Sequence, residues 1–199
     1  MESVNVAIIY YSATGNVHAL ASAAAEGAEK AGAQVRQRRV AETASPQPVQ
    51  EVKDDSDVTV ATPDDVAWAD AVLFGTPTRF GNPSAQLKAF IDTLGVLWQP
   101  GKLAGKVYSA FTASATAHGG QESTILALGN VFYHWGGIIV PPGYTDPIQF
   151  QLGNPYGTSH VASGNPPGDL VLDAARYQAR RVTETAAALK AGRAAIGGE

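Results

Sequence analysis

Apolar residues arrive along this chain in short, nearly continuous runs separated by stretches with helical spacing. Val4 to Tyr10 reads Val-Asn-Val-Ala-Ile-Ile-Tyr, a β-branched run that suits a strand buried on both faces. Val17 to Lys30 repeats Val17, Leu20, Ala21, Ala24 and Ala28 on one helical face, and Gly32 marks a stop. Val35 to Val40 predicts a second strand. Residues 41–61, rich in Pro, Ser, Asp and Gln, predict a surface loop. Thr62-Pro63-Asp64-Asp65 then opens a helix, with Thr62 as cap and Asp65 reaching back. Ala71 to Phe74 predicts a third strand, and Asn82-Pro83 opens a helix to about Leu94. Val107 to Thr112, Gln121 to Tyr133 and Ile138 to Val140 continue as strand, helix and strand. Residues 142–168 carry many Gly and Pro and predict long irregular stretches of the functional or interface-forming kind. An Ala-rich helix from about Leu170 to Lys190 closes the pattern, so residues 1–192 form one expected domain and 193–199 a C-terminal tail.

Strands alternating with helices imply an α/β fold: a doubly wound parallel sheet with helices on both faces and loop insertions. Its five predicted strands suit the order 2-1-3-4-5, which places a ligand beyond the strand C-terminal ends. The loops after the first, third and fourth strands should then be unusual, and they are.

The first, Ser12-Ala13-Thr14-Gly15-Asn16-Val17, follows a buried strand and opens a helix, where unpaired N–H groups and the helix dipole attract an anion. Ser12 and Thr14 add hydroxyls, and Gly15 lets the backbone approach. Neither the Walker pattern nor Gly-x-Gly-x-x-Gly is present, so a monophosphate such as that of FMN fits better than a triphosphate or dinucleotide. An ordinary capped strand–helix turn is the plainer alternative. The second loop, Gly75-Thr76-Pro77-Thr78-Arg79-Phe80-Gly81-Asn82-Pro83, could offer backbone N–H groups to the edge of a flat ring, Phe80 to its face, and Arg79 to negative charge on it. Core packing for Phe80 and solvation for Arg79 are the competing readings. The third, Thr112-Ala113-Ser114-Ala115-Thr116-Ala117-His118-Gly119-Gly120-Gln121-Glu122, is small and polar, leaving room for a ribityl chain or a pyrimidine edge, or forming only a surface turn.

Composition narrows the chemistry. The 199 residues include no cysteine, so disulfides, thiol redox chemistry and thiolate metal ligands are excluded, and redox function requires a bound cofactor. The four histidines, His18, His118, His134 and His160, show no close metal-ligand spacing, so no metal is expected. A net charge of −4 argues against a nucleic-acid surface. No apolar run reaches membrane-span length and no secretory signal is visible, so the expectation is a cytoplasmic protein with neither nucleic acid nor membrane as partner. Arg36, Arg38 and Arg39 read as a solvated strand end or, more sharply, a cofactor 2′-phosphate site. Trp98 reads as a pocket wall near the strand C-terminal ends or as an interface residue. His134, at a helix end, suits the local dipole and stays open to a role near a cofactor edge.

Tyr10-Tyr11-Ser12, Phe74 to Asn82, Gly119-Gly120-Gln121-Glu122, Val140-Pro141 and Asn154-Pro155-Tyr156-Gly157 together resemble the WrbA-type NAD(P)H:quinone oxidoreductases in order and spacing. The resemblance implies a flavodoxin-like fold with insertions, FMN as cofactor, NADH or NADPH as co-substrate, and a homotetramer that dissociates to dimers. It implies two-electron reduction of quinones to hydroquinones by a ping-pong hydride shuttle through the flavin, with no catalytic side chain required. By position, Ser12, Ala13, Thr14, Gly15, Asn16 and Val17 would hold the phosphate, and Pro77, Thr78, Arg79 and Phe80 would contact the ring. Thr112, Ala113, Ser114, Ala115, Thr116 and Ala117 would line the ribityl and pyrimidine side, His134 would reach the cofactor edge from a neighbouring part of the assembly, and Trp98 would meet the substrate. Thr14 stands where the family often has an aromatic residue, the third loop is less glycine-rich, and Ser163 to Gly168 replaces a charged stretch. A flavodoxin-type electron carrier and an FMN-binding regulatory adapter are the alternative functions.

Overall fold

A computed structural model describes residues 3–43 and 57–197; most of the expected 41–61 loop lies outside them. Its elements run β1 (Asn5–Tyr10), α1 (Asn16–Lys30), β2 (Gln34–Arg39), α2 (Pro63–Trp68), β3 (Ala71–Pro77), α3 (Ala85–Thr93), α4 (Gly95–Trp98), β4 (Val107–Ser114), α5 (Gln121–His134), β5 (Ile138–Ile139), α6 (Pro147–Leu152), β6 (Ser159–Val161) and α7 (Asp169–Ile196). All strand pairs are parallel, in the expected order β2-β1-β3-β4-β5, with β6 added against β4.

The alternation along each central strand divides the core in two. Val6, Ile8 and Tyr10 of β1 and Ala71 and Leu73 of β3 face Leu20, Ala24 and Ala28 of α1 and Ala179 and Val182 of α7. Ala7 and Ile9, with Val72 and Phe74, face Leu87, Leu128, Phe132 and Trp135 on the other side. Both faces are therefore covered, which is why the strands read as unbroken apolar runs. Small residues let α1 and α7 approach closely: a Cβ at Gly27 would lie 2.2 Å from the Arg176 carbonyl oxygen.

The start of α2 follows its sequence signal: the buried Asp65 carboxylate accepts from the Thr62 N–H (3.0 Å) and hydroxyl (3.1 Å). Its other oxygen takes Arg36 (3.3 Å) and Arg38 (3.0 Å), and Arg36 lies over the Trp68 ring. Two members of the basic cluster are thus tied to α2 rather than held out for a cofactor phosphate.

Three expectations change. The helix expected from Asn82-Pro83 begins instead at Ala85 with Ser84 as cap, because Asn82 bonds Arg79 through both its N–H and its carbonyl. The 142–168 stretch is not wholly irregular: Asp146-Pro147 caps and opens α6, and Ser159–Val161 forms a sixth strand. That strand pairs Thr112–Ser114 while β5 pairs only Val107 and Tyr108, so one edge of β4 is shared between them. The last helix runs past Lys190 to Ile196, taking in residues 193–196 of the expected tail; Arg193 there donates to the Gly105 carbonyl (2.9 Å). Among the described residues, no helix is long and apolar enough to cross a membrane.

Candidate functional site: a cleft at the C-terminal ends of β1, β3 and β4

The three unusual loops converge where the strand order turns back on itself. Between them lies a cleft of about 340 Å³ lined by Ser12, Ala13, Thr14, Asn16, Val17, Pro77, Thr78, Arg79, Ala113, Ser114, Ala115, Thr116, Gly119 and Ala162. This is within the size range of small-molecule sites. Arg79 is its sole charged lining side chain among the described residues.

The floor is the start of α1. Gly15 sits in the left-handed region (φ 85°), and α1 has no side-chain cap. The buried Ser12 hydroxyl accepts from the Gly15 N–H (3.1 Å), and the exposed Thr14 hydroxyl accepts from the Asn16 amide (2.9 Å), so both hydroxyl protons can still be donated. The backbone N–H groups of Ala13, Thr14, Asn16 and Val17 have no acceptor among the described residues. Orphan donors at a helix N-terminus with neutral hydroxyls beside them form an anion cradle.

The second loop is a tight hairpin. Arg79 and Asn82 exchange both backbone bonds (2.8 and 3.1 Å), with Phe80 (φ 53°) and Gly81 (φ 78°) at its tip. Positive φ at both central positions is the primed-turn geometry, here with a phenylalanine in a place that favours glycine. The expectation that several N–H groups of this loop serve a ring edge is reduced to one. Thr78, Arg79, Gly81 and Asn82 spend theirs within the protein, and among the described residues only Phe80 in that hairpin keeps a free N–H. The Phe80 side chain is fully exposed and is absent from the cleft lining.

The Thr78 hydroxyl ties the hairpin to the third loop. It faces the Gly119 and Gly120 carbonyls (3.3 and 3.4 Å), accepts from the Gly81 N–H (3.2 Å), and accepts from the buried Thr124 hydroxyl (2.7 Å). In the third loop, Ser114 donates to the Thr116 carbonyl (2.7 Å) and accepts from the buried Gln121 amide (2.8 Å). Behind the first loop, the Tyr11 hydroxyl donates to Glu42 (3.4 Å). Burial and the nearby Glu42 carboxylate push the Tyr11 phenol up to about 12, partly offset by Arg79.

The cleft thus gathers most of the expected residues. Thr112 is not exposed to it: that side chain is buried and donates to the Thr76 carbonyl (2.6 Å). Gly15 shapes the turn without lining the cleft, and Ala117 stands outside it. Trp98 and His134 are placed far away. Helices α3 and α5 start beside the cleft and run back along the strands, so their far ends lie at the strand N-terminal ends. The 14 residues of α5 span roughly 20 Å. There the two rings stack on each other at 5.6 Å, Trp98 half exposed. The placement of Trp98 near the strand C-terminal ends is therefore corrected by the direction of its helix. Gly119, Ala162, Gln121 and Thr124 went unassigned. Glycine 119 and Gln121 fall in the quoted Gly-Gly-Gln-Glu run, Thr124 follows Gln121 at helical spacing, and Ala162 becomes visible only once β6 is known.

No group of three or more His, Asp or Glu side chains among the described residues is placed to hold a metal ion.

Comparison with known proteins agrees with this layout. The family described as NADPH-dependent FMN reductase matches residues 4–148. A Deinococcus radiodurans protein named NAD(P)H dehydrogenase (quinone) is 46% identical over 195 residues, covering 94% of this chain and 97% of its own. A Geobacter sulfurreducens protein of the same name is 44% identical over 201 residues, covering 94% and 99%. Among solved structures, the flavodoxin, WrbA-like protein from Agrobacterium tumefaciens aligns with a TM-score of 0.68 at 27% identity, over 94% of this chain and 99% of that one. The chain belongs to the NADPH-dependent FMN reductase family, on its WrbA-like quinone dehydrogenase branch.

Proposed function

We propose that this chain is an FMN-dependent NAD(P)H:quinone oxidoreductase acting in the cytoplasm. The observation that carries the reading is the floor of the cleft, where four backbone N–H groups and two hydroxyls stand without a cation at the start of α1. That donor set fits a monophosphate. Ser12 to Val17 would hold the FMN phosphate, Ala113 to Thr116 with Gly119 would border the ribityl chain and pyrimidine edge, and Pro77 to Arg79 with the Phe80 N–H would meet the ring. When bound, FMN supplies a ring able to take a hydride from NADH or NADPH and pass two electrons to a quinone. We read the two substrates as using the site in turn, the nicotinamide leaving before the quinone enters. Arg79 would favour negative charge on the ring. The hairpin clamp at Thr78 keeps the ring loop in register with the third loop. No side chain needs to act as nucleophile or base.

We further infer a homotetramer, a dimer of dimers, in which Trp98 and His134 of one copy approach the cleft of another. Support comes from the distance within one chain and from exposed aromatic residues Phe80, Trp98, Tyr133, Phe150 and Tyr156. A groove of about 540 Å³ beside α5, lined by Leu126, Tyr133 and Tyr156, adds apolar surface of the kind subunits cover. Mass spectrometry of the extracted ligand, then steady-state NADH and NADPH oxidation with benzoquinone, tests the activity. FAD, a nucleoside triphosphate or absence of turnover in the loaded protein would overturn it. Light scattering of the holoprotein should give about four chain masses, and a fully active monomer would overturn the assembly.

A further inference from the structure

We propose that the groove beside α5 holds the isoprenoid tail of the quinone, so that the preferred acceptor is a tailed quinone and not a bare ring. The inference rests on the proposed quinone reduction and names the substrate class of that same site.

The groove exists because one edge of β4 is left open. β5 pairs Val107 and Tyr108, and β6 pairs Thr112 to Ser114, so Ser109 to Phe111 have no strand partner on that edge. Ser109 and Ala110 line the groove there, under α5. Buried Ile125 and Phe132 deepen its floor, and exposed Leu126, Tyr133 and Tyr156 form its rim. Gly129 keeps it open: a Cβ there would have Ile139 Cδ1, at 4.0 Å, as its one tertiary neighbour within that distance. Along α5 the lining runs from Ser123 to Tyr133, ten residues and so roughly 15 Å. That is long and narrow, the shape of a chain and not of a ring. The volume of about 540 Å³ suits a small-molecule site.

Position and charge favour a tail whose head lies at the flavin. Gly81 and Asn82 line the groove, while Thr78 and Arg79 of the same loop line the cleft. β4 also runs through both: Ala110 borders the groove and Ala113 the cleft, three residues or roughly 10 Å apart. A ligand crossing the hairpin at Phe80 would therefore touch both. The cleft has Arg79 for a head that gains negative charge, whereas none of the described residues lining the groove is charged. A neutral hydrocarbon meets no desolvated ion there. A neighbouring copy that covers the exposed rim would roof the groove and leave its buried floor to the tail.

The test uses the FMN-loaded full chain and benzoquinones of one head group carrying no tail, one isoprene unit or two. Burying one methylene is worth about fourfold in affinity, so each unit should raise kcat/KM by about tenfold. Gly129→Leu, which fills the far half of the groove, should remove most of the gain from the second unit. Flavin content, assembly mass and turnover of the tail-free quinone should stay unchanged. Should that variant melt at a lower temperature than the parent, Ala127→Glu, half exposed on the same stripe, puts a charge in the groove and should give the same loss. Equilibrium dialysis of the three quinones against oxidised holoprotein without NADH should rank them in the same order. Equal kcat/KM for all three, or an equal gain with tail length in parent and variants, overturns the proposal and leaves quinone reduction standing. Dissociation of the assembly in Gly129→Leu assigns the groove to a second copy and also overturns it. Absence of turnover even with the tail-free quinone overturns the quinone reading instead; dialysis then decides the groove, through tail-dependent binding that the variants weaken or its absence.

Discussion

The Thr124 hydroxyl is the point where the cleft can be loosened without being touched. Thr124 is fully buried, lines no part of the cleft, and donates to Thr78 at 2.7 Å. Replacing it with Val keeps the branched shape and deletes the donor. Thr78 would retain the Gly81 N–H as donor and the Gly119 and Gly120 carbonyls as acceptors. The loss is then one neutral hydrogen bond with no buried donor orphaned, about 0.5–1.5 kcal/mol. Thr78→Val is more severe, because the Gly81 N–H and a carbonyl lose their partner together, at about 2–4 kcal/mol. If Thr124 acts through Thr78, the double variant should cost about as much as Thr78→Val alone, leaving an interaction of roughly 1 kcal/mol in the cycle. Urea unfolding of the apoprotein measures these costs. Fluorescence titration should show FMN bound several-fold more weakly by Thr124→Val and weaker still by Thr78→Val, since the hairpin loses its register to the third loop. Additive single costs in the double variant would refute the shared bond. Unchanged FMN affinity in Thr78→Val would refute the claim that the clamp presents the hairpin to the ring.

Replacing Ser12 and Thr14 together with Ala should weaken FMN at least tenfold while riboflavin binding barely changes, each hydroxyl contact with a phosphate being worth about 1.5–3 kcal/mol; equal losses for both ligands would place the effect on the ring or the fold. Trp98→Ala should raise the quinone KM several-fold in a tetramer of normal flavin content, and an intact tetramer with unchanged KM would remove Trp98 from the acceptor pocket. The Tyr11 phenol titrates at about 12 in the fold against 10 in the unfolded chain, so its neutral form adds stability that is complete below pH 10 and lost as pH rises through about 12. Tyr11→Phe should flatten that alkaline fall in the urea midpoint, and parallel pH profiles for the two proteins would contradict it.

Legibility followed burial and direction. The run Val4 to Tyr10 was readable because both its faces are covered, and the start of α2 because Thr62, Pro63 and Asp65 carry a local signal that nothing overrides. Helix α3 was misread at its start because Asn82-Pro83 looks like a cap and is instead the closing arm of a hairpin, a contact with Arg79 that spacing does not encode. Strand β6 is three residues, Ser-His-Val, too short and too polar to show a period. The Asp146-Pro147 cap of α6 was legible and was absorbed into a Gly/Pro-rich background. Trp98 was misplaced for a different reason. Its distance from the ring loop in sequence is short, but α3 and α4 carry the chain away from the cleft, and only the helix direction reveals that.

Gln178 explains how the divided edge of β4 holds together. It lies in an Ala-rich helix and is almost fully buried. Its Nε2 donates to Ser109 (2.7 Å) and to the Ala110 carbonyl (2.8 Å), and its Oε1 accepts from the Thr158 N–H (2.7 Å). These contacts fall between the β5 ladder, which ends at Tyr108, and the β6 ladder, which begins at Thr112. One side chain thus takes the place of strand pairing across the gap, satisfying backbone groups that burial would otherwise leave costly. It also sets where β6 begins, and β6 delivers Ala162, whose N–H meets the Ser114 carbonyl (2.7 Å), to the wall of the cleft. Thr78 and Gln121 do the same for the hairpin and the third loop. Each wall is fixed from behind by polar side chains whose bonds stay within the protein, while the floor keeps its N–H groups unspent. That division puts rigidity in the supports and leaves free donors where a ligand can take them, the arrangement preorganised binding requires.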